Sequence, residues 1–457
     1  MDRPNGLGIG IQDGSVVRPV AFFGGDMFSH RNGMLLHCGI VCAAFACSTS
    51  QAGTSSDDVL FVIRDGHETT GSRFGPLAQF QRRLAGAAQR CGAPVGKEDV
   101  FADGVLGKGT LKVLRGLTQC TEYGGLPRGS LSQGLITEHT WRVVAPGLPV
   151  PDSGQRARML SFRHEGTDYT DVEFNEGTAD KGILTWGPQG ATAGQAFQVQ
   201  RILRRISTQL PDLVDQAFGT EATALRALAK TNTECAAREA IASVTSDTAR
   251  RSAWKHGFRK LGERPEVRQI YDNLMNVSDA SGAPEAVEDF FRSYWAHCWR
   301  PTEVDFAFFL DRAVQMDVRQ PKTDMAMNAV ARVENRAGRM FSPAERRRAV
   351  AVNFTAGNPH FVADRLRRDV VYYVDGIPRA DMTDESLLAL HERTVAPYIG
   401  LSNEYDGWML RTGGVMASDY GLSDARPSAV PPKIAAREAK EKARCSAAST
   451  PKRVDRL

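Results

Sequence analysis

Long hydrophobic runs are scarce in this chain. The apolar stretch Leu35-Leu36-His37-Cys38-Gly39-Ile40-Val41-Cys42-Ala43-Ala44-Phe45-Ala46 is shorter than a bilayer-crossing helix needs, so no stable membrane span is expected. There is no Cys-x-x-Cys pair and no clustered histidine, which argues against a zinc site. Nothing in the pattern asks for a cofactor. Charge of one sign is not in large excess either. Lys and Arg number 57 against 53 Asp and Glu, a formal balance of +4, which does not demand nucleic acid as a partner. Its mild basicity suits an acidic polymer.

What is present is a large apolar complement. The hydrophobic share of 42% supports a sizeable core, and 457 residues suggest two or three domains. Residues 1–33 are Gly-rich and without periodicity. A basic flank at His30-Arg31, the apolar run from Leu35 and the small residues around Ser50-Gln51-Ala52 then make a secretory signal, so residues 1–52 read as leader and signal peptide, with a periplasmic or secreted destination. Cysteine usage agrees. Three of the eight lie in that segment, and two disulfides would use Cys91, Cys120, Cys235 and Cys298, leaving Cys445 over. Without export the alternative is four buried free thiols.

The stretch from Ser161 to Gly194 carries the chemistry. An apolar segment ends at Glu165-Gly166, an acidic passage runs through Asp168, Asp171, Glu173, Glu176 and Asp180, and β-formers meet glycine at Ile183-Leu184-Thr185-Trp186-Gly187. A turn over Gly190–Gly194 then enters a helix marked by Ala196, Phe197, Val199, Ile202, Leu203 and Ile206 at helical spacing. The expected order is helix end, acidic hairpin, buried helix. Such an order can hold one carboxylic acid opposite one carboxylate, the pair that glycoside hydrolysis uses. A Glu at the rim of an apolar helix suits the protonated acid, and an Asp in a solvated hairpin suits the base. The Thr185 hydroxyl can orient the attacking water.

These residues resemble the lysozyme superfamily. Phage-type lysozymes place Glu before Gly at a helix end, then Asp, then Thr-x-Gly in a hairpin. Bacterial chitosanases are similar in the interval from Asp to Thr-x-Gly, which Asp180 and Thr185 share. The resemblance implies Glu165 as general acid, Asp180 as base or stabiliser and Thr185 as the water-positioning residue. Asp171 and Glu176 are rivals to Asp180. Arg163 and His164 flank the acid, and a cation there would oppose a raised pKa.

Upstream, residues 57–66 read as a strand, Phe74–Arg90 as a helix with Leu77, Phe80, Leu84 and Ala88 on one face, and Leu111–Leu117 as a second helix. Gln79, Gln81, Asp103, Gly104, Val105, Gly107 and Thr110 resemble three-helix peptidoglycan-binding repeats. Asp103-Gly104 makes a turn there and Thr110 can cap the helix. A helix-turn-helix without a ligand role is the plain alternative.

The fold class expected is mainly α (α+β). Residues 57–125 form a wall-binding-like domain, 126–156 a connector, 157–417 a lysozyme-like helical catalytic domain with a small acidic hairpin, and 418–457 a flexible basic tail. Trp186, Trp254, Trp295, Trp299, Tyr294 and Tyr169 are candidates for stacking on sugar rings. An Ala-Val-Gln helix ending at Gln315 weakly resembles cleft-facing segments of chitosanase-like cores.

The function expected is an exported glycosidase that hydrolyses β-1,4 bonds of peptidoglycan or a related amino-sugar polymer, with inversion. Chitosan hydrolysis is the alternative within that chemistry. Lytic transglycosylation would need Glu165 alone. A wall-binding protein without catalysis is the alternative of another class.

Overall fold

A computed structural model describes residues 58–64, 68–165, 168–174, 183–194, 197–275, 284–315, 318, 321–355, 368, 371–372 and 416–449, all within the unit Thr49–Leu457. The leader and signal segment lies outside the described residues. The chain is mainly helical with three small antiparallel sheets among the described residues.

The first part opens with β1 (Val59–Val62) and β2 (Thr69–Thr70), followed by α1 (Pro76–Arg90). Pro76 starts that helix where no intrahelical donor is needed. Leu77, Phe80, Leu84 and Ala88 then bury one face, as their spacing predicts. After α2 (Glu98–Phe101) and β3 (Val105–Leu106) comes α3 (Lys108–Leu117). The expected connector is itself folded. It holds α4 (Arg128–Ser132), β4 (Leu135–Thr137) and α5 (Glu138–Val144). β4 pairs with β1, and Trp141 of α5 stacks on Phe80 with ring centroids 4.6 Å apart.

α6 (Ser153–Glu165) follows, as expected, and ends on Glu165. A three-stranded antiparallel sheet comes next, built from β5 (Val172–Phe174), β6 (Leu184–Trp186) and β7 (Ala191–Ala193) in that order. The third strand replaces the turn expected over 190–194. Helices α7 (Gln198–Gln209), α8 (Leu213–Phe218), α9 (Ala222–Lys230), α10 (Glu234–Thr245), α11 (Thr248–Gly262) and α12 (Pro265–Met275) then enclose a core against this sheet.

The chain returns through α13 (Pro284–Ala296), α14 (Glu303–Gln315), α15 (Lys322–Ala337), α16 (Pro343–Thr355) and finally α17 (Pro432–Ser449). These join a second apolar cluster that also contains Phe61, Leu77, Phe80, Trp141 and Leu160. Apolar packing therefore crosses the expected boundary at 156–157. Residues 172–275 form a core of their own, set between two halves of a larger one.

Three expectations need correction. The segment from 418 is not a loose tail over its described length. Tyr420 is buried, Asp419 pairs with Arg64, and α17 is covalently tied to the body. The disulfides are Cys91–Cys120 and Cys298–Cys445, and Cys235 is an exposed free thiol. Cys445 takes the partner assigned to Cys235 because α17 packs against α13, whose end leads directly into Cys298. Thr110 does not cap α3. Gly107 occupies the N-cap, while Thr110 is buried and bonded to Gln81.

Candidate functional site

α6 is held rigidly. Ala157, Leu160 and Ser161 are fully buried along its inner face, against α14. Ser161 Oγ donates to Asp311 Oδ1 on α14 at 3.0 Å, one turn before the helix end. Arg156 donates to the carbonyls of Pro151 and Tyr420 at 2.7 and 2.8 Å. Glu165 therefore sits at the C-terminus of a pinned helix. The carbonyl end of a helix disfavours negative charge, so the position suits a group that must carry a proton. The Glu165 and His164 side chains lie outside the described residues, as do Glu176 and Asp180. Arg163 is exposed, and its guanidinium donates to the Glu68 carbonyl at 2.7 Å.

Thr185 is at the centre of β6, paired with Glu173 on one side and Thr192 on the other. Directly opposed residues of an antiparallel sheet share a face. Glu173, Thr185 and Thr192 thus form one polar row. The alternate positions Val172, Leu184, Trp186, Ala191 and Ala193 are buried in the core beneath. Gln198 at the start of α7 closes the row, its Oε1 accepting from Thr192 N and Oγ1 at 2.9 and 3.0 Å. Glu173 is exposed and is the carboxylate the described structure places beside Thr185. Sequence reading passed over it as one more acid in a loop. The alternation Val172-Glu173-Phe174 opposite Leu184-Thr185-Trp186 is the signal that marks it. Asp171 is exposed ahead of β5, where its carbonyl accepts from Gly187 N at 2.9 Å.

The sheet is fixed to α12 by Tyr271, whose hydroxyl donates to the Trp186 carbonyl at 2.9 Å and accepts from Gln189 N at 3.1 Å. Gly187 has φ of 78°, and a Cβ there would lie 2.6 Å from the Tyr271 ring, so only glycine fits this turn. Asp168 is buried and works as a tether. It accepts from Ser72 Oγ at 3.2 Å and pairs with Arg73 at 3.1 Å. Burial pushes its carboxyl above the usual range, against the pull of Arg73.

The residues that resemble wall-binding repeats form one hydrogen-bonded knot. Buried Gln81 donates through Nε2 to Asp103 Oδ1 (3.1 Å), the Val105 carbonyl (2.9 Å) and Thr110 Oγ1 (3.2 Å), and its Oε1 accepts from Gly104 N at 2.8 Å. Gly104 has φ of 83° and lies where a Cβ would meet the Gly71 carbonyl at 2.7 Å. The signature thus specifies a fold, and the surface it supports is a separate matter. That surface is a cleft of about 780 Å³, bordered by the knot, by Lys97, Phe101 and Lys108, and by Glu68 and Arg163. Arg163 brings the end of α6 to this cleft.

The aromatic expectation fails for most of its members. Trp186, Trp254, Trp295, Trp299 and Tyr294 are buried in the two cores, so none presents a ring to a glycan. Tyr169 is partly buried, its hydroxyl donating to Asp272 at 2.6 Å. Among the described residues no group of His, Cys, Asp and Glu is placed to hold a metal ion, and no helix is long and apolar enough to cross a membrane. Compared with protein-family profiles, curated proteins and solved structures, the chain matches none.

Proposed function

We propose that this chain is an exported glycosidase of lysozyme-like architecture that hydrolyses β-1,4 bonds of peptidoglycan, with Glu165 as general acid. Thr185 positions the attacking water, and Asp180 or Glu173 supplies the ionised carboxylate. The observation that carries the reading is a juxtaposition. The cleft beside the Gln81 knot has Arg163 in its wall, and Arg163 lies on the last turn of the helix that ends at Glu165. A polymer held in that cleft is thereby led toward the helix end. The polar row Glu173–Thr185–Thr192 on the sheet that follows α6 adds hydroxyls and a carboxylate on one face. Two disulfides fit an oxidising compartment.

Catalysis on this reading needs a protonated group at the leaving oxygen and an ionised one across the sugar. The helix end serves the first and the exposed sheet face the second. Chitosan is less suited, because it is itself a polycation and the cleft sets Arg64, Lys97, Lys108 and Arg163 against only Glu68 and Asp103.

One observation favours a second reading, wall binding without hydrolysis. The buried aromatics leave few stacking surfaces for a glycan. Incubation of the protein with purified peptidoglycan and with chitosan, followed by mass analysis, separates the readings. Soluble muropeptides from peptidoglycan support the proposal. Sedimentation of intact protein with undigested walls supports binding alone, and release of glucosamine oligomers supports the chitosanase.

A further inference from the structure

The face of α7 that turns away from the inner core carries an arginine cluster. Val199, Ile202, Leu203 and Ile206 are buried in that core, while Arg201, Arg204 and Arg205 are exposed on the other side of the helix. Spacings of three and four residues bring side chains together on a helix, and like charges so placed repel one another. No acid offsets them. Among the described residues none of the three guanidiniums pairs with a carboxylate. Arg204 Nη1 donates to the Ala229 carbonyl at 2.8 Å, which fixes the side chain against the end of α9 and leaves its charge intact.

α12 packs against α7, and a cleft of about 550 Å³ opens beside the two helices. The three arginines line it together with Ile270, Asn273 and Leu274 of α12, and no Asp or Glu does. Asp272, the acid nearest to these in sequence, accepts instead from the Tyr169 hydroxyl at 2.6 Å. Ile270 and Leu274 are backed by the inner core. The cleft thus sets uncompensated cations beside an apolar lining.

We propose that this cleft binds a small phosphate monoester, with the phosphoryl group on the arginines and the organic part against Ile270 and Leu274. The guanidiniums suit a group that carries about two negative charges and three terminal oxygens at neutral pH. A carboxylate brings less charge and fewer oxygens. The volume leaves room beyond the phosphoryl group and falls in the range of small-molecule sites. A phosphodiester polymer fits less well, because its charges repeat along a track, whereas Arg201 to Arg205 span about 6 Å of helix axis. An anionic membrane surface is disfavoured by Glu263 and Glu266, both exposed around the start of α12. The inference goes beyond the hydrolase reading and does not depend on it, since this cleft shares no residue with the one that reaches Arg163.

The test is calorimetric titration of the full chain with phenyl phosphate, inorganic phosphate, benzoate, phosphatidic acid vesicles and single-stranded DNA. Phenyl phosphate is expected to bind at least about tenfold more tightly than inorganic phosphate, which lacks the apolar part, or benzoate, which lacks the phosphoryl group. Arg201→Gln and Arg205→Gln should each weaken phenyl phosphate binding about tenfold. Their melting temperatures should match wild type, because neither side chain has a partner among the described residues. Arg83→Gln makes the same change on the exposed surface of α1 and should leave binding unchanged. No binding of phenyl phosphate, equal affinity for inorganic phosphate or benzoate, or equal loss in Arg83→Gln would overturn the proposal. So would vesicle or DNA binding that falls in Arg201→Gln while phenyl phosphate binding does not, a result that assigns the arginines to a membrane or to nucleic acid.

Discussion

In the proposed mechanism Glu165 holds a proton until a sugar oxygen takes it, and Thr185 holds the attacking water. Glu165→Gln keeps the shape of the side chain and removes the acid, so activity on peptidoglycan should fall by about 10²–10⁴-fold. The second carboxylate is a choice between residues, and kinetics can make it. Replacing each in turn, Glu173→Gln and Asp180→Asn, should leave one variant near wild-type kcat and the other reduced about 100-fold or more. Equal mild effects in both would mean that neither activates water. Thr185 was legible from its neighbours, because Leu-Thr-Trp alternates as a half-buried strand does. Glu173 was not, because a strand of three residues carries too little pattern to show which residue of the next strand it will face. The fate of the tryptophans was equally hidden. Composition does not say which large ring ends up beneath a sheet and which beside a groove.

Individual helices were read more securely than their ends. α1 and α7 follow the periodic apolar positions that predict them and α6 ends where its apolar segment does, whereas β2 and β3, two residues each, carry no pattern to read. α16 shows how a helix start is fixed. Ser342 Oγ accepts from Glu345 N at 3.2 Å, and Glu345 Oε2 accepts from Ser342 N at 2.8 Å, a reciprocal cap. Ser342→Ala should cost about 1 kcal/mol in denaturant unfolding. The hydrogen bond from Arg339, then the Ser342 amide, hold the Glu345 carboxyl down from 4.5 to about 2. A depressed folded-state pKa gives stability that is present above 4.5 and lost as pH falls toward about 2. Wild type should therefore exceed Glu345→Gln in melting temperature at pH 7, and the gap should close by pH 2. A gap independent of pH would show that the carboxylate's charge is not what stabilises the start of α16.

At the scale of the whole molecule the two ends of the described chain meet. Tyr420 exchanges hydrogen bonds with the Thr70 backbone at 3.0 and 3.1 Å, Arg64 pairs with Asp419, and Arg426 pairs with Glu303 at 3.0 Å. None of this is readable from a polar, proline-rich stretch, because contacts between residues about 350 positions apart leave no local signature. Deleting residues 416–457 should therefore unfold the larger core while sparing the inner one. Hydrogen exchange should show α1, α3 and β1 losing protection, with α7, α11 and α12 retaining it. Uniform protection in the truncated chain would mean that the C-terminal segment only decorates the surface.

The claim that joins these scales is acid catalysis from the end of α6. It is tested most directly by the mass spectrum of products from purified peptidoglycan treated with wild type and with Glu165→Gln protein of matched melting temperature. The account predicts fragments with reducing muramic ends from the wild type and none from the variant. Equal digestion by both proteins, or anhydro-muramic ends from the wild type, would contradict it.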